Sequence, residues 1–448
     1  MSDTIKNQIL KRGTPFHFIG ALGAGMLPLA TLLLHRGHPV SGSDRRASES
    51  APPDGLRFWQ GSAPERISPD AVCVFSLAVP DDDPELTVAR TRGQVVISRP
   101  ELLGMIVAEY PVSVGVAGSH GKSTVTAMLG ALLADLSPTV LCGADIGERG
   151  LVRGGDGLLI YEACEYRDAF LSTRPTLAIL LNLELDHTDY FPDLEALRRS
   201  FARFAASSAL TVCSCDDEGL SEIATATDAP TVSFGTSPAA DYRYELLSVG
   251  TETRFAVYAH GERLGEFTLS IPGSFNLKNA TAAIATAAEL GVPAERISER
   301  LASFRGIPRR LQEIGRLAGY PVIYDYAHHP TEIAAGIDAV RAMGYDGITV
   351  LFRPHTYTRT ASLWEDFVRA LRRADRVVLL DVFAAREAPI AGVDSPSLAA
   401  AIGDSAVYAR DDAEAIALLC AEPPRAILLM GAGDLDGIKK IFEKAVDR

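Results

Sequence analysis

The chain has 448 residues, enough for about three domains. Hydrophobic residues make up 47% and charged residues 22%, which excludes a disordered, collagen-like or coiled-coil protein. The net charge of −14 argues against a nucleic-acid or anionic-membrane binder, but still allows small anions held at a helix N-terminus or an arginine cluster.

The first block runs to about residue 108. Phe16–Gly20 reads as a strand ending in glycine, Met26–Gly37 as a helix, and Pro39–Asp44 as the next strand. That order opens a doubly wound α/β domain. Ala71–Leu77 and Gln94–Ile97 are its later strands. The second block, 109–306, opens with the strand Val112–Ala117, a glycine-bearing turn to Thr124, and a helix from Val125 to Leu136. Leu158–Tyr161 and Leu177–Leu181 read as buried parallel strands, Tyr242–Leu269 as antiparallel β, and Ala280–Leu290 as a helix. The third block, 307–448, alternates strands at Val322–Asp325, Ile348–Phe352, Val377–Leu380, Val407–Ala409 and Ala426–Met430 with helices, the first opening at Pro330. The expected fold is therefore α/β in three domains: a Rossmann-like unit, a phosphate-loop unit and a second Rossmann-like unit.

The six cysteines form no C-x-x-C pair and most sit in apolar runs, which predicts buried, reduced thiols in a cytoplasmic protein. No signal-peptide pattern opens the chain and no apolar run reaches about 18 residues, so no membrane span is expected.

Gly118-Ser119-His120-Gly121-Lys122-Ser123-Thr124 carries the sharpest chemistry. Backbone N–H groups of such a loop face phosphate oxygens, the lysine reaches the terminal phosphates, and Ser123 can bind Mg²⁺. The strict G-x-x-x-x-G-K-[ST] spacing is not met, because Val116 stands where the first glycine belongs. Gly20, Gly23 and Gly25, followed by Met26, form an earlier glycine turn that fits either a dinucleotide-type phosphate site or a tight strand–helix connection. Asp44 fits a ribose or uridine contact, or a helix cap.

Two strand ends present further groups. Glu162-Ala-Cys-Glu165 and Asn182-Leu-Glu-Leu-Asp186-His187-Thr-Asp189 offer carboxylates and an imidazole. Glu162 and His187 are the metal candidates, His187 fitting a structural histidine equally well. Glu165, Asp186 and Asp189 read singly as solvated caps. In the third block, Asp325-Tyr326-Ala-His328-His329-Pro330-Thr-Glu332 sits at a strand–helix junction. Arg359 closes Pro354-His-Thr-Tyr-Thr-Arg359 and can either clamp a carboxylate or pair with an acidic neighbour.

Together these segments resemble the Mur ligase family, in order and over nearly the whole chain. The His-His-Pro-Thr-Glu and Pro-His-x-x-Thr-Arg elements point to its alanine-adding branch. The resemblance implies an ATP- and Mg²⁺-dependent cytoplasmic ligase of peptidoglycan precursor synthesis, acting on UDP-N-acetylmuramate and L-alanine as a monomer or weak homo-oligomer, with no nucleic-acid or membrane partner. It places the UDP sugar at Gly20–Met26 and Asp44. It gives Lys122 the γ-phosphate, and Ser123, Glu162 and His187 the metals. Asn276, Asn279, Arg310 and Asp325 become nucleotide contacts. Tyr326, His328 and Arg359 become the amino-acid side, and Lys122, Glu162, His187, His328 and Arg359 are counted as catalytic. A peptide-recycling relative acting on the same sugar is the alternative. No lysine lies between Lys122 and Lys278, so the carbamylated lysine of several branches is absent. Phe275 stands where many relatives have histidine, and Thr356 where some have arginine.

Overall fold

The computed structural model describes residues 9–45, 51–250, 252–317, 319–385, 387–421, 425–432 and 435–445. The chain divides into two compact units. One comprises Met1–Leu183, Arg198–Ala240 and Ala282–Pro293; the other comprises Glu184–Leu197, Asp241–Thr281 and Ala294–Arg448.

The first unit opens with β1 (Phe16–Ile19), the helix Leu27–His35, β2 (Val40–Asp44), β3 (Arg57–Gln60), β4 (Val72–Phe75) and β5 (Val96–Ser98), followed by the helix Arg99–Val107. These strands form a parallel sheet in the order β3-β2-β1-β4-β5. The loop after β1 therefore sits at a switch point, where open α/β sheets take ligands. A buried network braces the end of β2. Glu85, 1% exposed, accepts from Trp59 Nε1 at 3.1 Å and Ala63 N at 2.8 Å, and meets His17 Nε2 at 3.3 Å. Burial pushes its carboxyl up, but the hydrogen bonds from His17, Ser43 and Ala63 hold it below the usual range.

The same unit continues through β6 (Val112–Ala117), β7 (Thr139–Leu141), β8 (Leu151–Val152), β9 (Leu158–Glu162), β10 (Leu177–Leu180), β11 (Leu210–Ser214) and β12 (Thr231–Gly235). Their order is β12-β11-β10-β6-β9-β7-β8, parallel except for β8. β6 thus lies between β9 and β10, and the phosphate loop leaves it at another switch point.

The second unit holds an antiparallel meander of β13 (Tyr242–Ser248), β14 (Thr253–Ala259) and β15 (Glu262–Leu269). Its other sheet runs β16 (Gln312–Leu317), β17 (Tyr320–Asp325), β21 (Ala426–Met430), β18 (Ile348–Phe352), β19 (Arg376–Leu379) and β20 (Ala406–Tyr408), with only β16 antiparallel. Phe352, Phe367, Val350 and Leu428 lie in the core on one face, and Tyr324, Leu351 and Leu429 on the other.

The predicted strands are present, with two boundary shifts that bear on the site. The helix expected from Val125 begins at Lys122, because Gly121 caps it in a left-handed conformation (φ 87°) that glycine adopts without steric cost. Lys122, Ser123 and Thr124 thus form the helix's own first turn. The helix expected from Ala280 begins at Phe275, its start held by Asn276 N bonded to Gly273 O and Leu277 N bonded to Ser274 O. Four short or exposed strands, β3, β7, β8 and β16, have no counterpart in the sequence reading, nor do β11 and β12.

Candidate active site

In the first unit the phosphate loop is anchored from outside. Asn182, just after β10, accepts from His120 N through Oδ1 at 2.8 Å and donates from Nδ2 to His120 O at 3.0 Å. Its carbonyl accepts from Ser119 N at 3.2 Å. Ser119 and His120, expected to hold a nucleotide, therefore spend their N–H groups on fixing the loop. The N–H groups of Gly121, Lys122, Ser123 and Thr124 have no protein partner among the described residues, as the first turn of a helix requires. They make a positive end for a phosphate.

Lys122 folds back over this loop. Its Nζ donates to Gly118 O, to Ser119 O at 3.2 Å and to Glu165 Oε1 at 3.1 Å. Burial opposes its charge, but Glu165, Cys164 and Glu162 more than compensate and hold its pKa above the usual value. Glu165, read from sequence as a solvated cap, is 2% exposed. Its pairing with Lys122 could not be read from spacing, because 43 residues separate them.

Glu162 ends β9. Its Oε1 accepts from Gly143 N at 2.5 Å and from the Cys142 thiol at 3.0 Å. Its Oε2 and the Ser123 hydroxyl have no protein partner among the described residues. Two oxygen donors left open beside a phosphate loop fit a hard cation such as Mg²⁺.

The glycine turn is tight. Gly20 (φ 81°) and Ala21 donate to Ser43 O at 2.9 and 2.8 Å, and Gly23 donates to Gly20 O. Asp44 accepts from Leu22 N through Oδ2 at 3.0 Å, so it also fastens the turn. Met26, expected at the substrate, is 1% exposed and its N–H goes to Gly23 O, which makes it a prop of the turn.

The second unit gathers the other candidates. Arg359 grips Asp186 bidentately, with Nη2 at 2.8 Å from Oδ1 and 3.1 Å from Oδ2, and Nε at 3.1 Å from Oδ1. Of the two sequence-based options for Arg359, this is the acidic pairing. Burial pushes the Asp186 carboxyl up, but the Arg359 guanidinium overcomes it and holds the group well below the carboxylate range. The Asp186 side chain is buried rather than a solvated cap. Its backbone neighbour His187 takes a left-handed conformation (φ 54°), with its N–H on Asp186 Oδ1.

Arg359 Nη1 meets His355 Nδ1 at 3.2 Å, and the His355 and His328 rings lie 6.0 Å apart. Burial, followed by lesser influences, pushes His328 down to about 3 and His355 to about 4, so both are neutral at pH 7. Nδ1 of His328 lies 3.0 Å from Tyr326 O, which can only accept. The proton therefore sits on Nδ1, and Nε2 keeps a lone pair.

Asp325 accepts from Leu311 N at 2.9 Å and Ala327 N at 2.7 Å. Burial raises its pKa to about 6 against the pull of Arg310. Arg310 meets Glu332 at 3.4 Å and lies over the Tyr326 ring. Asn276 and Asn279 are buried and bonded to each other at 3.0 Å. A cavity of about 510 Å³ in this unit is lined by Glu184, His329, Thr331, Arg369 and Arg373, but not by Tyr326, His328 or Arg359.

Three family models match the chain in order: "Mur ligase family, catalytic domain" at residues 15–111, "Mur ligase middle domain" at 116–287, and "Mur ligase, glutamate ligase domain" at 309–433. A UDP-N-acetylmuramate–L-alanine ligase of Salinibacter ruber is 37% identical, over 100% of this chain and 98% of its own. One from Caldicellulosiruptor saccharolyticus is 35% identical, over 97% and 98%. The structure of UDP-N-acetylmuramate-alanine ligase from Thermotoga maritima superposes with a TM-score of 0.82 at 26% identity, over 97% of this chain and 99% of that one. With all three domain models in sequence order and such relatives matched end to end, the chain belongs to the Mur ligase family.

Proposed function

We infer that this protein is an ATP-dependent ligase that joins L-alanine to the lactyl carboxylate of UDP-N-acetylmuramate in peptidoglycan precursor synthesis. The observation that carries the reading is continuity. Relatives with that activity in their names align over 97% and 100% of the chain at 35% and 37% identity. We assign residues 1–108 to the UDP sugar, 109–306 to ATP and 307–448 to the amino acid. No helix among the described residues is long and apolar enough to cross a membrane. We place this ATP-consuming enzyme in the cytoplasm. A monomer or weak homo-oligomer fits this role.

A carboxylate is a poor electrophile. ATP converts it to an acyl phosphate, which the amine of alanine then attacks. The protein's part is alignment and charge screening. Gly121–Thr124 offer N–H groups to the phosphates. Lys122 follows the γ-phosphate once it leaves Glu165 and the loop carbonyls. Ser123 and Glu162 would hold Mg²⁺, which when bound neutralises phosphate charge. Tyr326 and His328 face the amino acid, and the His328 Nε2 lone pair suits a hydrogen bond from its ammonium. Arg359 acts on the same side, held in place by Asp186.

The test is phosphate release from MgATP with UDP-N-acetylmuramate and, separately, L-alanine, glycine, L-serine or the recycling tripeptide. Release should require both the sugar and L-alanine, and should fall at least about 10³-fold in Lys122→Ala. Release only with the tripeptide would move the chain to the recycling branch. No release from a folded chain that binds ATP would overturn the reading.

A further inference from the structure

A cation lies against the glycine turn that neither the strand pattern nor the family likeness singles out. Arg99 opens the helix Arg99–Val107, and its guanidinium lies over Gly25. A Cβ at Gly25 would stand 2.7 Å from Nη1 and 3.2 Å from Cζ. Arg99 is partly buried, yet among the described residues it has neither an ion pair nor a side-chain hydrogen bond.

Its place is unfavourable on two counts. It occupies the first position of its own helix, where the macrodipole opposes positive charge. It also loses water without gaining a partner. The helix does not need it, because Ser98 and Glu101 already form a capping box there.

The turn beneath it has donors to spare. The N–H groups of Gly20, Ala21, Leu22, Gly23 and Met26 are all taken within the protein. Those of Ala24 and Gly25 have no partner among the described residues. The charge of Arg99 is also felt at Cys164, two residues past the end of β9. The Cys164 thiol is pushed up by burial and then by Glu165, while Lys122 and Arg99 pull it down. One unpaired guanidinium therefore stands beside two unspent N–H groups and near the strand end that carries Glu162.

We propose that Arg99 is a substrate-binding residue that clamps the pyrophosphate of the UDP sugar at the Gly20–Met26 turn. The proposal rests on the reading that this turn holds that pyrophosphate, and adds the side chain that recognises its charge. A planar guanidinium meets phosphate oxygens in pairs, which an ammonium cannot do.

The experiment compares the full-length chain with Arg99→Ala and Arg99→Lys. Calorimetric titrations with UDP-N-acetylmuramate, UDP and uridine are set beside steady-state kinetics and ligand-free melting. Arg99→Ala should weaken the sugar nucleotide and UDP by about 10- to 100-fold and leave uridine unchanged. The KM for the sugar nucleotide should rise by the same factor, with those for ATP and L-alanine unmoved. Melting without ligand should stay put or rise. Arg99→Lys should recover part of the affinity, and it carries the comparison if the alanine variant does not fold. Unchanged UDP affinity overturns the proposal, as does an equal loss for uridine. If the parent chain binds no UDP sugar, the ligase reading fails. Inorganic pyrophosphate titrated into the parent and Arg99→Ala then tests Arg99 alone, and equal affinities or no binding overturn it.

Discussion

Asp186, read from sequence as a solvated cap, is buried in a bidentate pair with Arg359. Removing one partner of a buried bidentate pair leaves the other charge uncompensated, at a cost of about 3–5 kcal/mol. Asp186→Ala should lower stability by that amount in urea unfolding. The pair also sets part of the acid response. Because the Asp186 pKa is depressed in the fold, its contribution is present above about pH 4 and is lost as pH falls below that. His328 and His355 act at higher pH. Their pKa values fall to about 3 and 4 from an ordinary value near 6.5, so the unfolded chain binds more protons below that pH. Each should remove about 1.4 kcal/mol of stability per pH unit between about pH 6.5 and 4. Asp325 works in the opposite sense. Raised to about 6, it favours the fold below about pH 4 and loses that contribution as pH rises to 6. Denaturant unfolding between pH 7 and 4 should therefore show a shallower acid loss in His355→Gln and a steeper one in Asp325→Asn. None of this was legible in the sequence. Lys122 and Arg359 could be picked out by type and motif, but their partners Glu165 and Asp186 are defined only by the fold, Asp186 lying 173 residues from Arg359.

Elements were more legible than partners. Ile348–Phe352 is buried throughout and Val112–Ala117 from Ser113 onward, and runs of that kind announce parallel strands. β3 was missed because Arg57-Phe-Trp-Gln lies on a sheet edge with no fully buried residue, so it carries no core signal. The phosphate loop was found by its glycines, but its fastening to Asn182 crosses 62 residues. Asn182→Ala should remove both side-chain bonds to His120 and raise the KM for ATP at least about tenfold, with a smaller effect on the KM for the sugar nucleotide. The helix Arg99–Val107 offers a packing test. A Cβ at Gly104 would fall 2.0 Å from Ser172 O, a backbone atom that cannot rotate away. Gly104→Ala should cost about 3 kcal/mol in urea, the upper range for overpacking.

At the scale of the molecule, three blocks in sequence are not the same as units in space. The chain passes between the two compact units five times, at 183/184, 197/198, 240/241, 281/282 and 293/294. The unit holding Arg359 therefore also holds Asp186, far upstream. The segment 307–448 made alone would carry Arg359 without that carboxylate. Hydrogen exchange at β18 should be faster in this fragment than in the full chain.

The cysteines give the whole molecule a practical property. No disulfide joins any of the six; Cys73, Cys142 and Cys213 are buried, Cys164 and Cys215 are half-buried, and Cys420 is exposed. Burial pushes the Cys73 and Cys213 thiols up to about 12, and it also raises Cys164, so these are protonated as well as covered. A maleimide dye at pH 7 should thus couple first to Cys420 in the native chain and to all six cysteines after unfolding, as peptide mass spectrometry would count. The unaltered protein thus offers Cys420 as the first position for a fluorophore, on the unit that carries Arg359, without a single engineered residue.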